Sequence, residues 1–224
     1  MSLPQFRTPA LLTTALTHRS ALNERLSTST ESNERLEFLG DAVLELATTR
    51  FLYDKFPREQ EGMLTAFRSA LVKTTTLADV ATKLKLGEEL FMSKGEEASG
   101  GRQNTSLLAD TVEAFLGALY LDQGYDAVVT FLEKHLFPKI DEIMQRKLYK
   151  DPKSSLQELV QSKGFEAPEY VVIDEVGPDH DRVFTVKVVV GGKDIASGTG
   201  RSKQLAQQAA AQDAVDRWEE LNKT

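Results

Sequence analysis

Glu34, Glu37 and Asp41 stand at i, i+3 and i+7 in the stretch SNERLEFLGDAVLELATTRFLYDKF, from Ser32 to Phe56. On a helix these positions fall within about 60° of one another and share one face. Leu36, Leu39, Val43, Leu46, Ala47 and Leu52 recur beside them at helical spacing and predict an apolar stripe. Acids beside a core stripe are costly unless their charge is compensated. A second pair, Asp110 and Glu113, stands at i, i+3 among Leu107, Leu108, Val112, Phe115 and Leu116. If the two helices pack together, four or more carboxylates converge and raise one another's proton affinity. Hard divalent cations, Mg²⁺ or Mn²⁺, relieve that repulsion with oxygen ligands and keep waters for a phosphate. Such a site polarises a phosphodiester, turns water into a nucleophile and stabilises the leaving oxygen. The alternative is a pair of solvated helix faces, with the acids paired to Arg35, Arg50 or Arg68.

The elements that must position these acids are helical. Residues 7–22 read as a helix with Leu11, Leu12, Ala15 and Leu16 on one side, and His18 in THRS reads as a packed or hydrogen-bonded structural residue, with a catalytic role as the lesser alternative. Phe56-Pro57 ends the acidic helix, because the residue before proline is driven out of the α region. One or two further helices run from Met63 to a stop at Gly87, followed by a polar loop, GEELFMSKGEEASGGRQNTS. Two helices broken near Asp122–Gly124 complete an all-α domain over 1–149.

Residues 150–153 (KDPK) form a short polar linker, and the pattern changes over 154–224. Ser154 or Ser155 is placed to cap a helix closing at Gly164. Three strand-like runs follow, EYVVIDEV, RVFTVKVVV and KDIASGT, with turns at Gly177-Pro178-Asp179 and Gly191-Gly192. A last helix runs from about Ser202 to Leu221. The fold class is an all-α domain followed by a small α+β domain in α-β-β-β-α order. The start of the last helix, Gly198-Thr199-Gly200-Arg201-Ser202-Lys203, offers free N–H groups, a cap serine and two cations, which suits a phosphate or equally an ordinary capped helix. Gln157 and His180 are further polar candidates.

The chain carries 41% hydrophobic and 27% charged residues among 224, the composition of a soluble globular protein. It has no cysteine, which excludes disulfides and thiolate metal sites. No secretory signal is visible, and no apolar run approaches the ~20 residues of a membrane span, so a cytoplasmic protein is expected. The net charge of −7 counts against a nucleic-acid partner. Residues 1–150 hold 18 basic and 21 acidic groups, net −3, and residues 151–224 hold 9 and 13, net −4. Any nucleic-acid affinity must come from local clusters or from cations held by the acids.

NERLEFLGDAVL (33–44) resembles the signature of the ribonuclease III family, endonucleases of double-stranded RNA. THRSALNE (17–24), EGMLTAFRSALV (61–72) and GGRQNTSLLADTVEAFLGALYLD (100–122) match further blocks in the family's order. DPKSSLQELVQ and GTGRSKQLAQQAAA resemble its carboxy-terminal double-stranded-RNA-binding domain, so the resemblance covers nearly the whole chain. It implies that Glu37, Asp41, Asp110 and Glu113 are the metal carboxylates, with Asp41 and Glu113 the catalytic pair. Glu34 and Glu61 match accessory acids of the catalytic valley. Gln157, the His180 loop, Arg201, Ser202 and Lys203 match RNA contacts. It further implies Mg²⁺ with Mn²⁺ as substitute, and 5′-phosphate and 3′-hydroxyl ends with short 3′ overhangs. Precursor ribosomal RNA, some mRNAs and tRNAs are the implied substrates. The family is a homodimer with the signature helix at its seam, so part of that helix's apolar surface is expected to be covered by a partner. The family commonly carries two adjacent basic residues after the serine, whereas Lys203 is followed here by Gln204, and weak RNA affinity at raised salt is expected. A catalytically inactive dsRNA-binding or ribosome-associated relative is the alternative, although all six acidic positions are kept.

Overall fold

The computed structural model describes residues 3–24, 26–178 and 182–218. The chain divides into two compact units, Met1–Tyr149 and Lys150–Thr224. Helices of the first unit are α1 (Pro9–Ala15), α2 (Arg19–Glu24), α3 (Glu34–Lys55), α4 (Glu61–Val72), α5 (Thr74–Lys83), α6 (Leu86–Glu89), α7 (Lys94–Ala98), α8 (Thr105–Gln123), α9 (Tyr125–His135) and α10 (Lys139–Gln145). The order in the second unit is α11 (Pro152–Ser162), β1 (Glu169–Val176), β2 (Val183–Val190), β3 (Lys193–Gly200) and α12 (Lys203–Asp216). None of the described helices is long and apolar enough to cross a membrane.

The first unit is organised around α8, whose Ala109, Val112, Ala114, Phe115, Leu116, Ala118 and Leu119 are all buried. A helix apolar on nearly every side belongs at the centre of a helical layer, and α3 and α5 pack against it most extensively. Asn104 starts α8 by accepting from the Ser106 and Leu107 N–H groups at 2.9 and 3.2 Å, which satisfies two orphan donors of the first turn. That cap fixes the phase in which Asp110 and Glu113 emerge.

Several details differ from the sequence reading. Residues 7–22 are not one helix, because the chain straightens at Thr17 to form a β-bridge with Phe91. Leu16 O accepts from Phe91 N–H, and Phe91 O accepts from His18 N–H. Gly87 does not stop a helix. It lies inside α6, with no room for a Cβ against the Arg102 carbonyl oxygen 2.3 Å away, and α5 instead closes at Leu84 and Lys85, the latter at φ +59°. The expected long loop after Gly87 holds α6, α7 and a 3₁₀ turn at Gly101–Gln103. Arg102 knits it together, donating to the carbonyls of Gly87, Glu88 and Leu90. On α3, Leu46 is not core: it is 59% exposed, on the face turned away from the buried Leu36, Val43 and Ala47.

In the second unit the three strands form one antiparallel sheet in the order β1-β2-β3. Leu156 and Val160 of α11 and Ala210, Ala211 and Ala214 of α12 pack against Val188 and Val190 of β2. α11 begins at Pro152, two residues inside the stretch expected as linker and cap. Asp151 is its N-cap, accepting from Ser154 N–H at 2.9 Å, and proline at the first helical position loses no needed N–H. The glycines of the GTG run belong to β3 rather than to a helix start. A Cβ at Gly198 would sit 2.2 Å from Ala210 N, so glycine lets α12 lie directly on the strand.

Candidate active site

The acids meet because two glycines let α3 and α8 touch backbone to backbone. A Cβ on Gly40 would lie 1.7 Å from the Glu113 carbonyl oxygen, and one on Gly117 would lie 2.1 Å from that of Leu36. With Leu36 and Gly40 facing Glu113 and Gly117, the neighbouring carboxylates fall at one level. Glu37, Asp110 and Glu113 each present a carboxylate oxygen, and the three lie within 4.8 Å of one another. All three are half-buried.

Among the described residues this trio forms no ion pair. The arginines that could have neutralised a solvated face are engaged elsewhere. Arg35 pairs with Glu31 at 3.8 Å, Arg50 with Asp54 at 2.7 Å, and Arg68 with Glu45 at 3.0 Å. The proton affinities record the resulting strain. Glu113 is pushed up to about 7, first by burial and then by the charges of Asp41, Asp110, Glu37 and Glu45. Glu37 is raised by burial and by Asp110, Glu34 and Asp41. Asp110 is raised by burial, against a smaller opposing pull from His18 and its own backbone. Like charges held together without a counter-ion are the deficit that a hard divalent cation relieves, and the all-oxygen donor set fits Mg²⁺ or Mn²⁺.

The other expected site residues lie as follows. Asp41 is exposed one turn further along α3 and stands outside the trio, yet its charge acts on Glu113 more strongly than any other carboxylate's. Glu34 lies 3.6 Å from Arg19 and accepts from Ser32 Oγ at 2.9 Å. Glu61 opens α4, is exposed, and accepts from its own Thr65 hydroxyl at 3.0 Å. It is not brought to the trio. A cavity of about 430 Å³ opens beside the acids, lined by Glu34, Glu37 and Asp110 together with His18, Arg19, Asn33 and Thr111. Its volume is in the range of ligand pockets, about 300–1,000 Å³. Charge patterning along α3 and α8 did not point to these last four. Their signal was their place in the THRS and NERLEF blocks and beside Asp110 in the LLADTVEAF block.

In the second unit, Gln157 is exposed on α11. Ser202 caps α12, accepting from Leu205 N–H at 3.2 Å. Lys203 Nζ stands 5.7 Å from the centre of the Phe184 ring, and Arg201 is exposed. These residues give α12 a cationic, capped start. His180 lies outside the described residues.

Residues 8–140 match the Ribonuclease-III-like family and residues 152–217 the Double-stranded RNA binding motif. The chain is 50% identical to Ribonuclease 3 of Geobacillus kaustophilus over 211 residues, covering 94% of this chain and 85% of that protein. It is equally 50% identical to Ribonuclease 3 of Bacillus licheniformis, over 94% of this chain and 84% of that one. A solved nuclease domain of ribonuclease III from Campylobacter jejuni superposes with a TM-score of 0.54 at 41% identity, over 60% of this chain and 92% of that one. That structure is described for flexibility in a region involved in dimer formation.

Proposed function

This chain belongs to the bacterial ribonuclease III family, and from that premise we propose that it hydrolyses phosphodiester bonds of double-stranded RNA in a Mg²⁺-dependent reaction. It is a ribonuclease III-type endoribonuclease joined to a double-stranded-RNA-binding motif. The products are 5′-phosphate and 3′-hydroxyl ends with short 3′ overhangs, and the substrates are ribosomal RNA precursors with some mRNAs and tRNAs, processed in the cytoplasm. The observation that carries the reading is the convergence of Glu37, Asp110 and Glu113, with no lysine or arginine paired to them among the described residues.

Glu37, Asp41, Asp110 and Glu113 would hold the cation, Asp41 from one turn beyond the trio, with Asp41 and Glu113 the catalytic pair. When bound, Mg²⁺, or Mn²⁺ in its place, supplies Lewis-acid stabilisation of developing charge and acidifies water. The chain's own part is positional and electrostatic. The arginines of α3 and α4 pair with other acids, which leaves the half-buried trio for a cation. Glu34, which lines the cavity, and Glu61, which opens α4 outside the trio, are the accessory acids of this reading. Residues 154–224 carry the RNA, with Gln157, the loop bearing His180, and Arg201, Ser202 and Lys203 reaching 2′-hydroxyls and phosphates of the A-form minor groove, a readout of shape more than of sequence.

Incubation with a long dsRNA duplex tests this reading. Short fragments with 5′-phosphates are expected in Mg²⁺ and none in EDTA. Binding without cutting in both conditions would instead identify a catalytically inactive RNA-binding relative.

The protein acts as a homodimer joined along α3. Phe38, Leu46 and Tyr53 are 83%, 59% and 68% exposed, and with Ala42 they form one apolar stripe along that helix. Exposed contiguous apolar surface of this kind marks an interface. Phe38→Glu is expected to give a monomer of unchanged helix content by sedimentation and circular dichroism; a persistent dimer would place the seam elsewhere.

A further inference from the structure

His18 sits where the chain straightens between α1 and α2, its backbone fixed by the N–H donated to Phe91 O at 3.0 Å. Its Nδ1 lies 2.8 Å from Ser20 Oγ, and Ser20 N–H points at the same nitrogen from 3.4 Å. An amide can only donate. Ser20 Oγ in turn accepts from Ser93 N–H at 3.0 Å, and its own proton is free to turn toward Nδ1. Two donors aimed at Nδ1 make it an acceptor, so the neutral ring carries its proton on Nε2. That Nε2–H hydrogen-bonds no other described residue, although the ring lines the cavity shared with Glu37 and Asp110. His18 is near enough to Asp110 for its positive form to favour the ionised carboxylate.

An imidazole N–H without a protein acceptor, in a cavity lined by carboxylates that suit a divalent ion, has as its natural acceptor an oxyanion that arrives with the metal. We propose that His18 Nε2–H donates a hydrogen bond to a non-bridging oxygen of the phosphodiester held over the acid trio. This makes His18 a substrate-contacting residue of the reaction, an inference that rests on the dsRNA-cleaving reading above.

Two variants separate this from a purely structural link between His18 and Ser20. In His18→Asn the side-chain oxygen takes roughly the place of Nδ1 and keeps the Ser20 contact, but the Nε2 donor is gone. In His18→Gln an amide N–H reaches roughly the place of Nε2. Single-turnover cleavage of a dsRNA in saturating Mg²⁺ is expected to slow about 10- to 100-fold in His18→Asn, the cost of a lost hydrogen bond to a charged group, with its thermal midpoint unchanged. His18→Gln is expected to recover most of that rate. A phosphorothioate with sulfur in place of the contacted oxygen should slow the wild-type protein more than His18→Asn. Asn faster than Gln, or rate losses that track losses of thermal midpoint, would overturn the contact. Nitrogen NMR of the wild-type ring gives a check independent of any variant: a proton on Nε2 is expected, and one on Nδ1 overturns the proposal. A wild-type protein that binds but does not cut dsRNA would instead remove the enzymatic reading, a result the tautomer measurement does not share.

Discussion

Glu113→Gln is expected to lower dsRNA cleavage on the order of 10³-fold or more while dsRNA binding by residues 154–224 survives. The change removes one of three carboxylates whose oxygens lie within 4.8 Å and keeps the shape of the side chain. Its effect on stability has a sign that can be worked out. Glu113 is raised from 4.5 to about 7 in the folded protein, so the fold binds this proton more tightly than the unfolded chain does. The metal-free protein is therefore most stable with respect to this group below about pH 4.5, loses stability as pH rises toward 7, and levels off above it. Glutamine mimics the neutral form at every pH. In EDTA, Glu113→Gln should melt above the wild type at pH 8, by at least the ~2–4 °C that each kcal/mol moves a domain of this size, and level with it at pH 4. Mg²⁺ should stabilise the wild type at pH 8 more than the variant. Because the ion must displace this proton, its apparent affinity should fall, by up to about tenfold per unit, as pH drops below 7. Calorimetry at the two pH values, with Mg²⁺ or EDTA, measures all of this. Wild-type cutting by Glu113→Gln would remove it from the site.

Gly40→Ala is expected to be among the most damaging single methyl additions available to this protein. Helix propensity alone favours alanine by about 1 kcal/mol, and the backbone at Gly40 is ordinary helix. The added carbon would nevertheless meet the Glu113 carbonyl oxygen at 1.7 Å and its carbon at 2.5 Å. Both are backbone atoms, which cannot swing aside as a side-chain tip could. The helices must separate, and overpacking of this kind costs about 1–3 kcal/mol or more, so the thermal midpoint should fall on the order of 10 °C. Cleavage should fall further than stability, because the atom struck belongs to Glu113 itself. Gly117→Ala, against the Leu36 carbonyl at 2.1 Å, should behave alike. Gly62 has nothing within 4 Å of an added Cβ, and Gly62→Ala should be neutral or slightly stabilising. Equal behaviour of the Gly40 and Gly62 variants would show that α3 and α8 do not meet as described.

Much of this fold could be read from periodicity. The apolar runs of α3 and α8 are long, and the strand-like runs after Gly164 are the three strands of the sheet. What periodicity misplaced was local. Leu46 has helical spacing from Val43, but spacing does not say which of two apolar faces meets the same chain. Thr17 breaks a helical pattern only because Phe91, distant in sequence, offers a backbone partner. Gly87 looked like a stop because its packing against Arg102 depends on a turn that forms 14 residues later.

The site divides the same way. Glu34, Glu37 and Asp41 could be put on one face, and Asp110 and Glu113 on another, from spacing alone, because the α-helix fixes angles between near neighbours. Spacing also left open a solvated face paired with Arg35, Arg50 or Arg68. Only the tertiary structure sends those arginines to Glu31, Asp54 and Glu45. Only the glycine contact of α3 with α8 gathers Glu37, Asp110 and Glu113, and only the bridge to Phe91 holds His18 at the cavity that Glu37 and Asp110 line. The sequence by itself determined which acids share a helix face and, through its motif blocks, which family to expect. Convergence was decided by the tertiary structure, because distances between residues 70 or more apart in the chain depend on which backbones can touch, and that is set by the absence of two side chains.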